Sequence, residues 1–240
     1  MTQNGGSVRT SGAGSDAGHD GAGHRARLRQ RLREGGRDAL LDHELIEYLL
    51  ALAIPRRDTK PLARRLLVEF GSFGAVLSAD WAALERVPGM GETSAAAIKA
   101  VQAAALRMLS GEIRKKPVLG SWQSLLDYLR ADMAWLGIER VRVLHLNARN
   151  ELLRDEAMGD GSIDQAAIYT REVIRRAMDL GSTSLILVHN HPSGDPSPSR
   201  QDIEVTRHIV DAGKRLGISV HDHIIIAANG HTSLRAQGLL

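Results

Sequence analysis

The chain has 240 residues, 43% of them hydrophobic and 25% charged, with a net charge of +3; this length suggests one or two domains, and the apolar share is enough for a real core. It contains no cysteine, which excludes disulfides and thiolate metal ligands, so a metal site has to be built from histidine and carboxylate. No apolar stretch approaches the ~18 residues that cross a bilayer, and no hydrophobic signal core opens the chain, so a soluble, cytoplasmic protein with no membrane partner is expected.

Residues 1–22 are Gly, Ser, Ala and Asp with almost nothing apolar and read as a disordered tail. Residues 23–112 read as a small all-helical domain. Leu40, Leu41, Leu45, Ile46, Leu49 and Leu50, then Leu62, Leu66 and Leu67, then Ala95 through Leu109 recur at helical spacing. The basic excess lies in this half: residues 1–116 hold 18 Lys and Arg against 13 Asp and Glu, residues 117–240 hold 13 against 15. Much of it is the run Arg25, Arg27, Arg29, Arg31, Arg33 and Arg37, which suits phosphates or an acidic protein surface, or is a solvated helix start. Val87-Pro88-Gly89-Met90-Gly91 ahead of Thr93 and Ala95-Ala96-Ala97-Ile98 looks like a helix-hairpin-helix turn. Gly89 and Gly91 would bare backbone N–H groups at a helix N-terminus, where a DNA phosphate can be held without sequence being read; the plainer reading is a glycine turn between packed helices.

Residues 113–117, Ile-Arg-Lys-Lys-Pro, read as a linker. Over 118–240 helical and extended patterns alternate: helical at Leu125–Leu136, Thr170–Leu180 and Ser199–Leu216, extended at Val141–Leu146, Glu151–Met158, Leu185–Val188 and Ser219–Ala227. Such alternation predicts an α+β or α/β sandwich.

The run Ser184 to Val188 delivers His189-Asn190-His191-Pro192-Ser193-Gly194 to a strand end. Side chains at i and i+2 share a face, so His189 and His191 point at one place while Asn190 points away. Asp202 follows eleven residues after His191. Two imidazoles and a carboxylate leave a fourth tetrahedral position for water, the mark of a catalytic rather than a structural zinc. Ser199-Arg200-Gln201-Asp202 also fits a capping box, which explains Ser199 and Asp202 but not His-x-His ahead of them. His221-Asp222-His223 repeats the spacing inside a strand, a poor place for an open site, and its Asp and His are expected to support the metal shell or the loop over it rather than bind the metal. His145, His208 and His231 have no partner at ligand spacing.

His189-Asn190-His191-Pro192-Ser193-Gly194, Ser199 and Asp202 match the H-x-H-P…S-x-x-D signature of the JAMM (MPN+) metallopeptidases, in the form typical of RadC-like proteins. Glu139 to Asn147, Tyr169 to Val173 and Asp222 to Ile225 resemble other blocks of the RadC-type domain. Thr170 departs from the pattern, standing where such proteins usually have proline. The resemblance implies an MPN, cytidine-deaminase-like sandwich with a curved, mostly mixed or antiparallel sheet and one Zn2+ at its edge. It implies that His189, His191 and Asp202 bind the metal, that Ser199 supports an oxyanion, and that an upstream glutamate activates the water. Glu139, at the start of the domain's first strand, is the choice for that glutamate, with Glu156 and Glu151 as competitors.

A zinc-bound water, its pKa lowered from 15.7 toward about 7, can hydrolyse an amide, so the leading expectation is a peptidase or isopeptidase acting on a peptide or isopeptide-linked protein. A DNA-associated binding protein working through the helical module is the alternative, and a metal-bound scaffold lacking the base at Glu139 the third.

Overall fold

Leucine and alanine repeats at helical spacing give way to branched apolar runs along this chain, and the computed structural model turns that change of period into a change of architecture. It describes residues 17–55, 57–114, 117–160 and 170–240. Two compact units divide it, one up to Arg64 and one from Arg65 to Leu240.

In the first unit, helices α1 (Ala17–Gly35) and α2 (Asp42–Ala53) and the start of α3 (Lys60–Phe70) bury Leu28, Ile46, Leu50 and Leu62. Residues 17–22 therefore belong to a helix rather than to the tail expected over 1–22; residues 1–16 lie outside the described residues. The arginine run is partly spent internally. Arg25 donates to the carbonyls of Ile54, Pro55 and Arg57 beyond the end of α2, and Arg31 forms a two-pronged pair with Glu44 at 2.6 and 2.9 Å.

The second unit opens with the end of α3 and continues through α4 (Phe73–Ser78), α5 (Trp81–Arg86) and α6 (Glu92–Arg114). Ser72 and Asp80 cap α4 and α5 by accepting the Ala75 and Ala83 amides. Between α5 and α6, Gly89 has φ 102°, a left-handed conformation that glycine adopts without strain. The two helices and their glycine turn form the hairpin expected from the sequence. The C-terminal end of α6 then enters the core of the sheet domain: Ile113 is buried in one cluster with Val118, Leu125 and Leu129. The linker expected over 113–117 is thus a packed junction at its first residue, while Lys115 and Lys116 lie outside the described residues.

The sheet has the order β2-β1-β3-β4-β5, built from β1 (Arg140–Leu146), β2 (Leu152–Asp160), β3 (Ser184–Asn190), β4 (Ser219–Ala227) and β5 (Gly230–Ser233). β1 runs antiparallel to β2 and β3, β3 and β4 are parallel, and β5 returns antiparallel to β4. The α+β sandwich read from the sequence is the fold found, with β5 as the one strand it did not anticipate. On one face α7 (Trp122–Met133) packs Leu125, Leu129 and Met133 on Leu144, Ile186, Val188 and Ile224. On the other, α8 (Thr170–Asp179) and α9 (Arg200–Arg215) place Val173, Ala177 and Ile209 on Val143, Leu185 and Leu187. Each fully buried Leu, Ile or Val stabilises by roughly 1.5–3 kcal/mol, and a one-residue slip of β3 would turn all of them to the wrong face. The core therefore fixes the register that aims His189 and His191 toward α9 and Asn190 toward α7.

β4 contains a device that periodicity hides. Leu185 pairs with Val220 but Ile186 pairs with Asp222, leaving His221 as an extra residue. This bulge reverses the alternation, so that Val220 lies in the α8/α9 cluster while Ile224 and Ile226 lie in the α7 cluster. It also sends His223, which pairs with Leu187, to the face that carries His189. No helix among the described residues is long and apolar enough to cross a membrane.

In the last turn of α9 the Gly213 carbonyl accepts the Ile218 amide at 2.9 Å, just ahead of β4. A Cβ at Gly213 would lie 2.7 Å from the Ile218 carbonyl oxygen. Gly213→Ala, favourable in an ordinary helix, is expected here to lower stability by about 1–3 kcal/mol, read as a lower midpoint in urea unfolding; an unchanged or raised midpoint would contradict this packing.

Candidate metal centre

β3 ends where α9 begins to cross back over the sheet, so the N-terminal turn of α9 hangs above the C-terminal end of the parallel pair, the usual location of sites in such crossovers. Ser199 caps α9: its Oγ accepts the Asp202 amide at 3.1 Å, and Asp202 Oδ2 accepts the Ser199 amide at 2.6 Å. The capping box expected from the sequence is present and delivers Asp202 to the histidines. Asp202 Oδ1 lies 3.3 Å from His189 Nε2 and Oδ2 lies 3.6 Å from His191 Nε2. The capping box and the approach of Asp202 to the two histidines are the same geometry seen from two sides.

Donor and acceptor chemistry fixes where the ring protons sit. The Asp202 backbone carbonyl can only accept, so the Thr206 hydroxyl donates to it and accepts from His223 Nδ1. Burial pushes the His223 imidazole down to about 4, leaving it neutral with a bare Nε2. That nitrogen accepts from His189 Nδ1 at 2.8 Å. Burial, reinforced by the neighbouring His223, also holds His189 well below the usual histidine range, so its Nε2 carries a lone pair into the site. His191 Nδ1 donates to the Asp195 carbonyl at 2.9 Å, which aims the His191 Nε2 inward as well. The two Nε2 atoms stand 2.9 Å apart. Two lone pairs at that distance need a proton or a cation between them.

Between the two rings the shared proton favours His191 over His189, whose pKa is lowered by burial. The hydrogen bond to Asp202 raises the His191 pKa against the effect of burial. Burial pushes the Asp202 carboxyl up, but bonds from His191 and Ser199 and the nearby His189 outweigh it and keep the group ionised. His189, His191 and Asp202 would hold a divalent cation in place of that proton, since two imidazole nitrogens and a carboxylate are donors that fit a metal ion.

Glu139 completes the group. Val141 pairs with His189 in the antiparallel register, so two residues further out Glu139 stands across from His191. A carboxylate oxygen of Glu139 and one ring nitrogen of each histidine lie within 4.8 Å of one another, a set able to hold a metal ion. The competing glutamates are engaged elsewhere: Glu156 pairs with Arg176 at 2.7 Å, and Glu151 accepts from Asn147 in the β1–β2 turn at 2.7 Å.

A scan against protein-family models matches residues 119–239 to the RadC-like JAB domain and residues 22–96 to the UPF0758 N-terminal domain. The chain belongs to the RadC-like JAB domain family. Its JAB domain has the fold of metal-dependent hydrolases of the JAMM type, and Glu139, His189 and His191 form a group in it that could hold a metal ion.

The remaining candidates fall outside the JAB centre. His221 bonds Asn150 Oδ1 at 2.7 Å, near the start of β3. His145 is fully buried beside Ser182 and lowered to about 4 by burial, and His208 and His231 are exposed. Gly89 and Gly91 lie in the α5–α6 turn. Thr206 was not among the site residues read from sequence, because its role depends on α9 packing against β4.

Two outcomes follow for metal binding. Thr206→Val, which keeps shape but removes the hydroxyl that orders the ring chain, is expected to weaken metal affinity about 10- to 100-fold, measured by chelator competition; wild-type affinity would contradict the chain. Because His191 must shed its proton, affinity should rise about tenfold per pH unit below its raised pKa and level off above it. Calorimetry in buffers of different ionisation enthalpy should find close to one proton released from His191 on metal binding at a pH below its raised pKa; no proton release there would contradict the assignment.

Proposed function

We propose that the JAB domain is a zinc-dependent peptidase or isopeptidase. The observation that carries this reading is the convergence of two inward Nε2 atoms with the carboxylates of Asp202 and Glu139. Imidazole donors with a carboxylate suit zinc rather than magnesium or calcium, which prefer all-oxygen shells. Three protein ligands leave one position open.

When bound, zinc supplies Lewis acidity, making a water acidic near neutral pH and polarising the scissile carbonyl. Glu139 takes the proton onto its carboxylate and returns it to the leaving amine. The Ser199 Oγ already accepts the Asp202 amide, so its O–H is left to donate to the oxygen that gains charge in the transition state. His189, His191 and Asp202 hold the ion, and Thr206 and His223 hold His189. One ion in this shell suits amide hydrolysis better than two-metal phosphodiester chemistry. A vestigial scaffold would lack the base, and Glu139 is within the group.

Glu139→Gln in zinc-loaded protein should retain metal while hydrolysis across a panel of peptide and isopeptide conjugates falls about 10²- to 10⁴-fold. A variant that cleaves as fast as wild type would end Glu139's role as base.

The alternative, DNA association through the helical module, is favoured by one observation, the left-handed Gly89 between α5 and α6. Gly91 separates function from folding, since a Cβ there meets nothing within 4 Å. Gly91→Glu should abolish salt-sensitive duplex binding without loss of stability; absence of any low-salt binding by wild type would end this reading.

A further inference from the structure

His189 and His191 face the metal cradle, and the residue between them is buried on the other side of the sheet. Asn190 is 1% exposed. Its Oδ1 accepts the Arg140 amide at 2.8 Å and its Nδ2 donates to the Ile138 carbonyl at 3.0 Å. An N–H must donate and a carbonyl must accept, so the two contacts fix the amide orientation. They grip the peptide groups on both sides of Glu139. That segment is irregular: α7 ends at Met133, β1 starts at Arg140, and Leu136 to Glu139 belong to no helix or strand.

We infer that Asn190 is the positioning residue that holds Glu139 against the histidine pair, so that one strand end both aims the metal ligands and sets the base. The inference rests on the reading of Glu139 as the base. Strand geometry explains the residue. The β1–β3 register pairs Arg142 with Val188, so Arg140 lies directly across from Asn190, within reach of a short side chain. Aspartate would offer no donor to Ile138, serine is too short for both contacts, and glutamine carries an extra methylene. Asn190 thereby acts as a peptide unit, extending the ladder past the point where β1 loses its regular form. A displacement of the base by about 1 Å is enough to cost 10²-fold in rate, which is why such a segment needs a fixed anchor.

The test is a double-mutant cycle on full-length, zinc-loaded protein, with acetohydroxamate as a zinc-binding probe that hands a proton to the base. Asn190→Ala, Glu139→Gln and the double variant are compared with wild type, with zinc content and thermal unfolding recorded for each. Asn190→Asp serves as an isosteric second variant should the alanine variant unfold. Asn190→Ala and Asn190→Asp are expected to keep one zinc while binding the probe roughly tenfold more weakly, and the double variant to bind no more weakly than Glu139→Gln alone. Wild-type probe affinity in both Asn190 variants, or losses that add fully in the double variant, would overturn the inference. Wild-type affinity in Glu139→Gln would instead overturn the role of Glu139 and the inference with it.

Discussion

Two imidazole nitrogens turned inward 2.9 Å apart set the terms for everything around them. Such a pair is unfavourable unless a proton or a cation lies between, and α9 and β4 both contribute to holding it there. The α9 cap places Asp202 beside both rings. The carbonyl of that same aspartate starts the chain through Thr206 and His223 that strips the proton from His189 Nε2. A single residue thus supplies a carboxylate to the site and sets the tautomer of the neighbouring histidine.

The apolar core gives this arrangement its rigidity. β3 is buried along its whole length, and its two faces serve two separate clusters, so neither twist nor slip is open to it. Alternation then gives three consecutive residues distinct duties: His189 and His191 toward α9, Asn190 toward the loop that carries Glu139. Polar contacts worth about 1 kcal/mol each could not enforce this register alone. They refine a geometry that burial has already selected.

What could be read from the chain follows a physical division. The histidine pair was legible because strand alternation is local, and Ser199 and Asp202 were legible because a capping box is local too. Glu139 is chosen over Glu151 and Glu156 from the resemblance alone, because its place across from His191 depends on β1 pairing antiparallel with β3, a contact across some fifty residues that no periodicity records. His223 was expected to support the metal ligands, but its aim depends on the bulge at His221, which reverses the parity of β4. The expected linker failed for a similar reason: Arg-Lys-Lys-Pro is a polar punctuation, yet Ile113 just before it is buried by side chains far along the chain. β5, four residues long, is too short to show a period.

The most direct measurement is the metal content of purified wild type beside His191→Ala and Asp202→Ala, with thermal unfolding of each to exclude simple loss of the fold. The account predicts near one zinc per chain in wild type and almost none in variants that remain folded. Wild type without stoichiometric metal, or folded variants that keep it, would contradict the claim that the two inward nitrogens are there to share a cation.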